Sequence, residues 1–92
     1  MLIGWVITKD LISGGASVGM GVSNTPADKL VKHKKARAFR MLDDDNEVYY
    51  EGVIVTDEAG TEQDFAPLDD FGMPVAGCTM IQYQTTEGWE IL

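Results

Sequence analysis

Four stretches of this chain, 2–8, 36–42, 47–55 and 79–92, carry a spacing of apolar positions that predicts strands rather than helices. Residues 2–8, LIGWVIT, are β-branched and aromatic, with Ile3, Trp5 and Ile7 on one face. Leu2 and Val6 fall on the other, so this strand is expected to be covered on both sides. The runs 36–42 and 47–55 flank the polar stretch Asp43-Asp44-Asp45-Asn46-Glu47, which reads as the tip of a β-hairpin. Asn46 suits a left-handed turn position. A two-residue loop at Asp45-Asn46 sets Arg40 opposite Glu51, Met41 opposite Tyr50 and Phe39 over Gly52, which are sensible cross-strand pairs. A three-residue loop shifts that register by one, and the pattern leaves both open. Residues 79–92 predict a second hairpin, in which a loop Thr86-Glu87-Gly88 pairs Tyr83 with Ile91 and Thr85 with Trp89. That register gathers Ile81, Tyr83, Trp89 and Ile91 on one apolar face, with Gln82, Gln84 and Glu90 on the other.

Between the strands the pattern changes. Residues 13–24 carry four glycines and little bulk, so a loop is expected there. They lack the Gly-Lys-Ser/Thr ending of a phosphate loop and the third glycine of a dinucleotide fingerprint. Thr25, Pro26 and Asp28 supply an N-cap hydroxyl, a first-turn proline and an acid for the positive end of the helix dipole. One short helix over 26–34 follows, and with only Leu30 and Val31 as large apolar residues it must dock on the sheet. Residues 56–77 hold acids, glycines and two prolines and read as irregular, pinned by Phe65, Leu68 and Phe71. The expected fold is a single α+β domain over 1–92, a mostly antiparallel sheet of about five strands with one short helix.

Charge adds the sharpest bulk feature. The net value is −8, yet six of the seven bases (Lys29, Lys32, Lys34, Lys35, Arg37, Arg40) fall within twelve positions. From Met41 onward there are thirteen acids and no Lys or Arg. Such separation bears on partners and steering, not on fold. No apolar run is long enough to span a bilayer, and the N-terminus carries no secretory signal pattern. The single Cys78 fits a reducing compartment, so a cytoplasmic location is expected.

Candidate chemistry is sparse. Started at Asp43, a calcium loop of the EF-hand kind would need Gly at position 6 and an acid at position 12, where this chain has Val48 and Ile54. One histidine, His33, and one cysteine give no zinc set, and no motif orients them as a catalytic pair. No Gly-x-Ser-x-Gly elbow surrounds the serines, so binding is favoured over catalysis, with no cofactor and no metal. The basic stretch 29–40 could touch phosphates, but the anionic remainder and the lack of a nucleic-acid motif count against it.

The stretches ITKD (7–10), FRMLDDDNEVYYEG (39–52) and PLDDFGMPVAGCT (67–79) resemble small uncharacterised acidic proteins of bacterial mobile elements and phages. That resemblance implies an accessory role and brings no catalytic residues. The sequence thus leads to an accessory, protein-binding domain with an acidic surface of Asp43, Asp44, Asp45, Glu47, Asp69 and Asp70, and a homodimer as a second candidate assembly. The alternative is a small-molecule binding domain with a pocket of Trp5, Tyr49, Tyr50 and Trp89.

Overall fold

The computed structural model describes residues 2–12, 16–18, 27–56 and 62–92. Among these residues, six antiparallel strands form one sheet in the order β2-β1-β4-β3-β5-β6. They are β1 (Leu2–Asp10), β2 (Ala16–Val18), β3 (Arg37–Leu42), β4 (Val48–Thr56), β5 (Met80–Thr85) and β6 (Gly88–Ile91). Five of these are the strands the alternation predicts, and the class is α+β as expected. The three-residue β2 corrects the loop expected over 13–24: Val18 and Ala16 pair with Ile7 and Lys9. The remainder of that loop lies outside the described residues, as do the capping positions Thr25 and Pro26.

Among the described residues, each face of the sheet carries one helical segment. The helix α1 (Ala27–Val31) is shorter than the expected 26–34. It seats Leu30 against Val6 and Val55, with Ala36 and Val53 at the margin. The opposite face holds the main core, in which Trp5, Ile7, Phe39, Met41, Tyr50, Ile54, Ile81 and Tyr83 pack beneath Leu68, Phe71 and Cys78. β1 is therefore buried on both sides, as its sequence requires.

Residues 62–76, read from sequence as irregular, are helical. A 3₁₀ turn, Glu62–Phe65, leads through one further turn into α2 (Leu68–Ala76), a wide π-type helix. Pro74 sits inside α2, and the lack of its N–H fits a widened coil better than a regular α-helix. A Cβ on Gly72 would lie 2.5 Å from Met41 Sδ, so the glycine lets α2 settle directly on β3. Leu68 and Phe71 are buried as expected, whereas Phe65 is exposed.

The first hairpin contains both candidate registers. Asp43 and Glu47 flank a three-residue loop with Asn46 at φ 65°, and the Asn46 N–H donates to the Asp43 carbonyl at 3.1 Å. Leu42 pairs with Val48 in that register, but Met41 pairs with Tyr50 and Arg40 with Glu51, as the two-residue loop requires. Tyr49 is the extra residue that reconciles them, a β-bulge. The second hairpin corrects the expected register by one. Gln82 pairs with Ile91, Gln84 with Trp89 and Thr85 with Gly88 around the loop Thr86-Glu87. A one-residue slip turns every side chain over. Trp89 thus stands on the α1 face, where the Arg40 guanidinium stacks 4.5 Å from its ring centroid and donates from Nε to Gln82 Oε1 at 2.7 Å. That stack favours the observed register, as do the loop bonds of Thr85 Oγ1, which donates to the Gly88 carbonyl at 3.0 Å and accepts the Glu87 N–H at 3.1 Å.

Candidate functional site

The sheet end that carries the acidic tip also holds an open groove of about 550 Å³. Its lining is Leu11, Ile12, Glu47, Val48, Tyr49, Tyr50, Val75 and Ala76. Two irregularities in the ladder shape it. In a regular strand Tyr49 and Tyr50 would point to opposite faces. The bulge at Tyr49 brings both to the α2 side, where Tyr50 is buried in the core and Tyr49 packs against it. A second bulge, between Ile7 and Lys9, shifts β1 by one residue on β4, so that Asp10 pairs with Tyr50 and the Leu11 N–H reaches the Tyr49 carbonyl at 2.9 Å. The turn Leu11-Ile12 thereby forms one wall, and Val75 with Ala76 at the end of α2 forms the other.

The walls are apolar and open to solvent: Leu11 is 40% exposed, Ile12 53% and Val75 62%. Neighbouring Met73 on α2 is also exposed. Exposed apolar residues gathered around one concavity are uncommon on a surface that serves only solubility. The rim, in contrast, is anionic, with Glu47 in the lining and Asp10 and Asp43 close enough to act on the tyrosines. Tyr50 has its pKa raised by burial and then by the Asp10 charge. Tyr49 is raised first by its hydrogen bond to Asp43 and by that residue's charge.

Asp43 organises the tip. Its Oδ1 accepts the N–H of Asp45 at 2.8 Å and of Glu47 at 3.0 Å, while Oδ2 accepts the Tyr49 hydroxyl at 2.9 Å. Those bonds hold its carboxyl below the usual range, the Glu47 N–H acting most strongly. Asp43 is thus committed within the chain. Asp44, Asp45 and Glu47 are exposed on the loop it fixes. Asp69 and Asp70 are exposed too, but they stand on the first turn of α2, the end away from Val75 and Ala76. Four of the six expected acids therefore share one surface and two lie apart. Among the described residues no group of three His, Cys, Asp or Glu side chains is placed to hold a metal ion.

The four aromatic residues expected to line a pocket also divide. Tyr49 and Tyr50 line the groove, Trp5 is buried between the sheet and Phe71, and Trp89 lies on the other face. Leu11, Ile12, Val48, Val75 and Ala76 were not legible as site residues, since an apolar residue at a turn gives no periodic signal. Cys78 is fully buried under α2, and burial pushes its thiol up to about 11. His33 follows α1 on the other face and accepts the Lys35 N–H at 3.0 Å. A nucleophilic pair is not assembled from these two. Among the described residues no helix is long and apolar enough to cross a membrane. No family model, curated protein or solved structure matches the chain.

Proposed function

We propose that the chain is an accessory protein-binding module, working in the cytoplasm, that presents its acidic hairpin tip to a basic surface of a partner. The observation that carries this reading is the rigid tip itself. Asp43 uses its carboxylate to hold the loop, which leaves Asp44, Asp45 and Glu47 displayed in fixed positions. The lysine cluster lies elsewhere: Lys32, Lys34 and Lys35 precede β3, and the acids follow its far end, about 20 Å away across six residues. Of the bases nearer the tip, Arg40 is engaged with Gln82 and Trp89, and Lys9 stands opposite Glu51. A basic partner is therefore attracted to one end of the molecule and repelled from the other. Self-association through the same charges would pair two copies antiparallel, the basic end of each against the acidic tip of the other, so that a two-fold axis makes the contact twice.

A fluorescein-labelled Lys/Ser peptide of twelve residues tests the reading. Binding is expected at low salt, to fall at least tenfold by 0.3 M salt, and to be lost in Asp44→Asn/Asp45→Asn/Glu47→Gln. A control, Asp69→Asn/Asp70→Asn/Glu87→Gln, removes as much charge away from the tip. If both triple variants weaken binding equally, attraction is diffuse and the tip is no binding surface.

A further inference from the structure

We infer that the groove beside the acidic tip seats an apolar anchor of the partner, which is a short segment carrying two or three large apolar side chains flanked by Lys or Arg. The inference rests on the reading of the tip as a surface for a basic protein and adds the part of the partner that confers lasting contact. Charge complementarity argues for the occupant. The floor and walls (Val48, Tyr49, Tyr50, Leu11, Ile12, Val75) ask for apolar side chains, and the exposed carboxylates of Glu47, Asp44 and Asp45 ask for cations beside them. Exposed charge pairs each contribute little and are screened, so steering alone gives a fleeting complex. Burying the exposed parts of Leu11, Ile12 and Val75 supplies the non-directional attraction that slows dissociation. A volume of about 550 Å³ takes a few side chains rather than a whole domain face. The geometry is of the kind in which peptide segments use pockets for anchors and a charged rim for orientation.

The test uses the full chain and two labelled peptides of equal length and charge, one of Leu and Lys, the other of Ser and Lys. The Leu/Lys peptide is expected to bind at least tenfold more tightly, and Ile12→Ser/Val75→Ser should remove that advantage while leaving Ser/Lys binding unchanged. Both substituted residues are exposed, so the fold should tolerate them, and an unchanged Tm confirms it. Equal affinity for the two peptides overturns the inference and leaves the acidic tip standing. An advantage that survives in the variant also overturns it, because the anchor would then sit elsewhere. If neither peptide binds, the tip reading fails together with this one. Concentration-dependent self-association lost in the same variant would assign the groove to a second copy of the chain. A groove that binds an apolar dye, with no preference between the peptides, would assign it to a small molecule. Either result counts against a peptide anchor.

Discussion

Replacing Asp64 by Asn should destabilise the fold more than any single change at the groove. Asp64 is 1% exposed and sits in the 3₁₀ turn that leads into α2. Its carboxylate is gripped by Arg37, with Nη2 at 2.5 Å and Nη1 at 3.2 Å, and Nη2 also donates to Thr56 Oγ1 at 3.1 Å. The same guanidinium lies 4.8 Å from the centroid of Tyr83, whose hydroxyl donates to the Asp64 carbonyl at 2.6 Å. Asn keeps the shape and that carbonyl bond but removes the charge and turns an amide N–H₂ toward the guanidinium. Breaking one side of a buried ion pair costs about 3–5 kcal/mol. The Arg37 side chain is 28% exposed and can turn partly to water, so the lower end, about 3 kcal/mol, applies here. A domain of 92 residues has about 5–14 kcal/mol in total, so the change removes a large share of it. The midpoint of thermal unfolding should fall by about 12–24 °C. Urea unfolding at pH 7 should show a lower midpoint with an unchanged slope. Arg37→Met combined with Asp64→Leu should recover most of the loss, because two apolar groups leave no unpaired charge. An Asp64→Asn protein within 1 kcal/mol of the parent, roughly the worth of an exposed pair, would refute this account of how the 3₁₀ turn is fastened.

Cys78 should react slowly with a thiol reagent in the native state and quickly in urea, since the thiol is buried and its pKa stands at about 11. The raised folded value means its contribution to stability is complete below about pH 9 and is lost as the pH rises toward 11, so Cys78→Ala should flatten the alkaline decline seen by circular dichroism. Asp43→Asn should lower the Tyr49 pKa toward its ordinary 10.0, read from phenolate absorbance, and broaden the amide resonances of the tip; an unchanged titration would mean that Asp43 does not hold Tyr49. Gly52→Ala should cost about 2 kcal/mol or more by chemical denaturation, because the new methyl would collide with the Val6 carbonyl and lie 2.6 Å from Phe39 Cζ.

The strands were legible because alternation is a direct record of which face is buried, and Trp5-Val6-Ile7 announces burial on both. The hairpin registers were legible only in part, for two distinct reasons. In the first hairpin the local turn chemistry of Asn46 asks for a three-residue loop, while the packing of Met41 and Tyr50 asks for the other register. A bulge satisfies both demands, and no pattern of alternation encodes it. In the second hairpin the alternation admits both registers, and part of what favours the observed one is the stack of Trp89 on Arg40, which is distant in sequence. α2 escaped notice because Gly72 and Pro74 oppose a regular helix. Leu68, Phe71 and Val75 at i, i+3 and i+7 were its periodic signal, broken by the glycine and the proline between the last two.

The groove belongs to the same class of feature, which explains why its residues could not be named in advance. A regular β4 would send Tyr49 to the α1 face, and a regular β1 would carry Leu11 and Ile12 past the sheet end in a different register. Each bulge moves one strand by a single residue, and together they turn two tyrosines and one turn toward the end of α2. The acidic tip is part of that device, since Asp43 fixes both the loop and the Tyr49 hydroxyl. Tip and groove are therefore mechanically joined. A partner that pulls Tyr49 away from Asp43 would loosen the loop that displays Asp44 and Asp45, whereas one that packs against Tyr49 would hold it. Protection of the Asp45 and Glu47 amides from hydrogen exchange, which depends on the Asp43 carboxylate, should thus rise when the groove is filled, even by a peptide that carries no charge.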